Sequence, residues 1–101
     1  MQLFARKRIE ILIERALLKR LADELDRIGE IPYSVAPLAG GRGRAGRWEA
    51  DGQVGKAAGM FVLWCIVDAA RTDDLLKVLF AIVARQVGLI SVSDVQVCGQ
   101  T

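Results

Sequence analysis

The chain has 101 residues and not one histidine. That excludes a histidine-based nucleophilic triad and most zinc-ligand sets. Only two cysteines are present, Cys65 and Cys98, far apart in sequence. They build neither a metal-ligand spacing nor a disulfide framework. No apolar run reaches the roughly 18 residues of a membrane-spanning helix. Residues 1–8 set no long apolar segment behind their charges, so no secretory leader is expected and the reading is cytoplasmic. Charge of either sign is scarce in excess: 14 Lys and Arg stand against 12 Asp and Glu, a net of +2. That is too little for a general nucleic-acid binder.

What remains is apolar. Hydrophobic residues make up 52% of the chain, which argues against disorder and for one packed domain spanning residues 1–101. In "RIEILIE", Arg8 to Glu14, isoleucines alternate with other residues, which predicts a strand. Leu17, Leu18, Leu21, Ala22, Leu25 and Ile28 then recur at helical spacing, predicting a helix over 16–28 with Gly29 as its stop. Ile31, Tyr33 and Val35 alternate again and predict a second strand, and Pro32 weakens a central placement for it. "GMFVLWCIVD", Gly59 to Asp68, is continuously apolar and reads as a strand buried on both faces. A second helix is expected from a cap at Thr72 or Asp73 to about Gln86, with Gly88 ending it. "LISVSDVQV", Leu89 to Val97, is the last strand.

The order strand–helix–strand–strand–helix–strand predicts an α+β, ferredoxin-like fold. Two helices would cover one face of a four-stranded antiparallel sheet. The other face, with Met60, Val62, Trp64 and Ile66, then needs a cover, and another copy of the chain supplies one.

Between the second and third strands lies "LAGGRGRAGRWEADGQVGK", Leu38 to Lys56, with six of the chain's ten glycines and with Arg42, Arg44, Arg47 and Lys56. Glycines let backbone N–H groups turn toward an anion, and arginines fix phosphate or carboxylate oxygens. A solvated linker has the same composition. An RNA contact of the arginine–glycine type is disfavoured, because Trp48 is the loop's one aromatic. Residues 41–57 are expected to be mobile without ligand, because ordering glycines is entropically costly.

Three segments resemble the PII signalling family: "RIEILIE" its opening strand, "YSVAPLAGGRGRAG" the entry to its T-loop, and "GLISVSDVQV" the glycine and strand after its second helix. The resemblance implies a homotrimer with inward-turned sheets, adenine nucleotides in the intersubunit clefts, and a T-loop at about 39–57. By position it places Ser34, Trp64 and Ile66 at the adenine. Gly40, Gly41, Arg42, Gly43 and Arg44 fall at the phosphates, and Gly88 at a turn lent by the neighbouring subunit. Gly43, Arg44 and Arg47 are the positions for bicarbonate or a similar anion.

The departures are as informative. The connection after the second helix is just Gln86-Val87-Gly88, and Leu89 stands where nitrogen regulators have a phosphate-binding lysine. Arginines expected near Gln100 are missing. Arg44 or Gly43 replaces a glutamine that assists magnesium and 2-oxoglutarate, and the loop has no tyrosine for uridylylation. Lost cations penalise a triphosphate most, so ADP or AMP is favoured. This pattern is similar to the PII-like proteins associated with carboxysomes and bicarbonate transporters, which implies such a protein as partner. Cys98 stands alone where some relatives carry a cysteine pair. Asp68 and Asp94 lie beside strand ends and receive no catalytic role, and no nucleophile–base set exists, so no enzyme and no resident cofactor or metal is expected. The competing reading is a trimeric ferredoxin-like protein of structural or metal-tolerance type.

Overall fold

The computed structural model describes residues 1–43, 46–49, 59–84 and 88–99. Six strands and two helices are present among them: β1 (Gln2–Glu14), α1 (Arg15–Gly29), β2 (Ser34–Pro37), β3 (Gly40–Gly43), β4 (Gly46–Glu49), β5 (Met60–Val67), α2 (Ala69–Val83) and β6 (Gly88–Gly99). The main sheet is antiparallel with order β2-β5-β1-β6. β3 and β4 form a separate two-stranded hairpin. The ferredoxin-like α+β expectation holds.

The core follows from the alternation in β1. Ile9, Ile11 and Ile13 point to the helical side and are fully buried, opposite Cys65, Leu63 and Phe61 of β5. Leu17, Leu21 and Leu25 of α1 and Leu75, Leu79, Ile82 and Val83 of α2 close over them. Each such side chain contributes about 1.5–3 kcal/mol of transfer free energy. Both helices therefore sit on one face, and the even-numbered residues of β1 and β5 form an open face.

Several boundaries differ from the sequence expectation. β1 begins at Gln2 rather than Arg8, because β6 runs on to Gly99 and pairs with the whole extension, Gln2 opposite Gly99. The last strand is correspondingly longer than Leu89–Val97. β2 starts at Ser34, not Ile31. Ile31 is instead buried beneath the turn from α1, bonding through its N–H to the Leu25 carbonyl. The left-handed residue after α1 is Glu30, with φ 52°, rather than Gly29. A Cβ on Gly29 would lie 2.9 Å from Nη2 of Arg71, the end of a flexible side chain that can move aside. α2 starts three residues before Thr72, directly after β5. Thr72 is buried and donates its hydroxyl to the Asp68 carbonyl rather than capping. The expected helix end at Gln86 lies outside the described residues, and Gly88 opens β6 instead of stopping the helix. Within the expected loop, Gly40–Gly43 and Gly46–Glu49 are paired strands. Arg44, Ala45 and residues 50–58, on which most of the mobility expectation falls, lie outside the described residues.

Gly88 is sterically required. A Cβ on it would sit 2.5 Å from Cγ1 of Val83 and 3.1 Å from the Leu12 carbonyl oxygen. Gly88→Ala is expected to destabilise the fold by about 1–3 kcal/mol through overpacking. Gly43→Ala, with nothing within 4 Å of its Cβ, is the near-neutral control. Denaturant unfolding at one fixed protein concentration compares the two.

Candidate functional site

Ser34 stands directly opposite Trp64 across the β2–β5 ladder, and Ile66 follows two residues on, on the same face. The period of two in β5 places Trp64 and Ile66 together while Leu63 and Cys65 turn into the core. These three lie along one cavity of about 210 Å³, completed by Pro32, Tyr33 and Cys65. Its wall is mainly apolar, with an indole and a hydroxyl. That combination suits a flat heteroaromatic ring: apolar contact over its faces and a hydroxyl at its polar edge. Trp64 is half-buried and Ile66 is 43% exposed, so both offer surface to a ligand or a neighbouring chain.

A second crevice of about 150 Å³ adjoins the first, sharing Pro32 and Ile66. Arg6, Glu30, Asp68 and Arg71 give it a polar lining. Arg6 is ion-paired with Asp68 at 3.0 Å. Being exposed at the Asp68 end, this pair contributes little to stability.

The remaining expected site residues lie elsewhere in the chain. Gly40, Gly41, Arg42 and Gly43 form β3, and all four are exposed. Arg42 stands directly opposite Arg47 of β4. Arg44 lies outside the described residues. Gly88 pairs with Ile13, toward the opposite end of the sheet from Trp64 and Ile66, which lie level with Glu10 and Arg8. One chain thus brings Ser34, Trp64 and Ile66 together and leaves Gly88 apart from them.

Pro32, Tyr33 and Arg8 were not singled out as site residues by the sequence. The guanidinium of Arg8 lies over the Trp64 ring, 5.2 Å from its centroid. Alternation shows that Arg8 shares a face with Glu10, but the register that sets it beside Trp64 exists only once β1 and β5 are paired. Among the thiols, Cys65 is buried and its pKa is pushed up by burial, whereas Cys98 is exposed. Cys65 is therefore a core side chain and not a reactive group. Among the described residues, no cluster of three or more His, Cys, Asp or Glu is arranged to hold a metal ion. No described helix is long and apolar enough to cross a membrane.

A family model described as nitrogen regulatory protein P-II matches residues 6–100. CPII, a PII-like protein from Thiomonas intermedia bound to ADP, AMP and bicarbonate, superposes with a TM-score of 0.82 at 25% identity, covering 95% of this chain and 91% of that one. The same protein bound to ADP and bicarbonate gives 0.80 at 25% identity, with the same coverage. A PII-like signalling protein from Thermus thermophilus shares the fold, with a TM-score of 0.76 at 24% identity over 96% of this chain and 93% of that one. No curated protein matches the chain.

Proposed function

The chain belongs to the nitrogen regulatory protein P-II family, and from that premise we propose that it is a non-enzymatic regulator that binds an adenine nucleotide and answers to bicarbonate. The observation that carries the reading is the convergence of Ser34, Trp64 and Ile66 on one mainly apolar cavity. A structural relative of like size was found with ADP, AMP and bicarbonate. The base would lie against Trp64 and Ile66, with Ser34 at its polar edge. The phosphates would extend toward Gly40, Gly41, Arg42, Gly43 and Arg44. Gly88 of a neighbouring copy completes the cleft, which is why the functional unit is a homotrimer.

Arg42 and Arg47 support an anion role for the hairpin. Like charges directly opposite on two strands repel and weaken the pair. An oxyanion lying between them would reverse the sign of that contribution through charge-assisted hydrogen bonds. Gly43 and Arg44 at the closing turn would add backbone and side-chain donors, a set that suits bicarbonate as well as phosphate. The cellular role that fits is control of inorganic-carbon uptake or of carboxysome function, the hairpin meeting a transporter or carboxysome protein.

Calorimetry with AMP, ADP and ATP, each with and without bicarbonate, tests this. ADP or AMP is expected to bind at least as tightly as ATP, because Leu89 stands in place of a phosphate-binding cation and is 60% exposed. A clear preference for ATP contradicts the argument from missing cations. Heat from none of the three overturns the nucleotide reading in favour of a purely structural trimer.

A further inference from the structure

On the open face of the sheet, two charged side chains stand between the apolar Trp64 and Ile66 of β5 and two serines of β6. Arg8 lies between Ile66 and Ser93, and Glu10 between Trp64 and Ser91. Val62, Leu12 and Leu89 form the next row along. The other cations at this end of β1 have acidic partners: Arg6 pairs with Asp68, and Lys7 with Asp94. Neither Arg8 nor Glu10 has an ion-pair or side-chain hydrogen-bond partner among the described residues. Both are nevertheless half-buried within a single chain. They stand two residues apart on one strand, about 6.8 Å between Cα atoms, yet Arg8 lies over the Trp64 ring.

We infer that Arg8 of one copy pairs with Glu10 of the next, and that this pair sets the angle and register at which open faces meet. The inference rests on the trimer reading above. The occupant of this face is argued from its charge. One cation and one anion on this face satisfy each other when the face meets a second copy of itself. A partner of single sign would be repelled by one of the two. Covered by apolar surface without a partner, either charge would carry a heavy desolvation cost. The cation–π contact with Trp64 already holds the guanidinium at this face before assembly, so less ordering is required when it meets a carboxylate. Because Trp64 also lines the nucleotide cavity, Arg8 joins that cavity to the subunit boundary.

The test is a mixing experiment on the full chain, read by light scattering and sedimentation at micromolar concentration. Arg8→Glu alone and Glu10→Arg alone are each expected to raise the dissociation constant of the assembly by at least about a hundredfold. Mixing the two variants is expected to restore assembly in part, since in any mixed trimer two of the three boundaries regain opposite charges. Rescue on mixing requires that the pair lie between chains; a contact within one chain gives none. If both single variants assemble as the unaltered protein does, or if mixing rescues nothing, the pair is overturned while the trimer stands. An unaltered protein that is monomeric overturns the trimer reading itself. Where a reversal precipitates, Arg8→Gln, Glu10→Gln and their combination replace it. The combined effect should then fall short of the product of the single effects, and simple multiplication counts against the pair.

Discussion

Trp64→Asp is expected to abolish nucleotide binding and to dissociate the assembly. The side chain stands on the open face of β5, between the core residues Leu63 and Cys65 that anchor the strand from the other side. Its loss removes the aromatic wall of the cavity and the surface on which Arg8 stacks. The new carboxylate would lie directly opposite Glu10 in the β1–β5 register, a like-charge pair on one face of the sheet. If a second chain covers that face, the carboxylate must also give up its water, which exceeds the roughly 2 kcal/mol that separates a micromolar complex from one some thirtyfold weaker. The fold should survive, because the fully buried isoleucines of β1 and the leucines of both helices lie on the opposite side. Light scattering gives the oligomeric state, calorimetry with ADP the binding, and far-UV circular dichroism the control. A variant that stays assembled places Trp64 away from the boundary. A variant that still binds ADP as tightly as before removes Trp64 from the site. Trp64→Phe, which keeps an aromatic face, should retain much of both functions.

The parts of this molecule legible in the sequence were those governed by one-dimensional periodicity. Ile9, Ile11 and Ile13 announced both a strand and its buried side, and Leu17, Leu21 and Leu25 announced a helix and its stripe. What escaped was set by pairing. Gln2 to Lys7 has no clean alternation, and becomes a strand because β6 offers it a partner as far as Gly99. Phe4 is part of that closure: a Cβ on Gly99 would meet its ring at 2.7 Å. Gly29 looked like a helix stop, but the left-handed turn after α1 is made by Glu30. The pairing of β3 with β4 was hidden because glycine, which makes up half of the two strands together, has low strand preference. The proposed site residues divide in the same way. Ser34, Trp64 and Ile66 could be placed by resemblance, but their neighbours in the cavity and over the indole, Pro32, Tyr33 and Arg8, required the fold.

The β3–β4 hairpin is expected to gain hydrogen-exchange protection when ADP and bicarbonate bind together. Alone it is weakly built. Four of its eight residues are glycines, so ordering it costs more backbone entropy than an ordinary strand pair. It has four residue pairs and no third strand among the described residues, and such isolated ribbons are marginal in water. One of those pairs, Arg42 opposite Arg47, is repulsive. An anion between the two guanidinium groups changes repulsion to attraction where the ribbon is weakest, so occupancy and order should rise together. The coupling must then be reciprocal: the factor by which ADP tightens bicarbonate is the factor by which bicarbonate tightens ADP. A coupling of about 1–3 kcal/mol gives roughly 5–150-fold. Amide exchange of residues 40–43 and 46–49 should slow most with both ligands present. Arg42→Ala should weaken ADP more than AMP, if the outer phosphate lies on it as proposed. Arg47→Ala should leave AMP affinity nearly unchanged but remove most of the effect of bicarbonate, because with one guanidinium gone there is no like-charge pair left to relieve. Equal protection in the free, ADP-bound and doubly bound protein would mean that the hairpin does not respond to these ligands, and would overturn its proposed anion role.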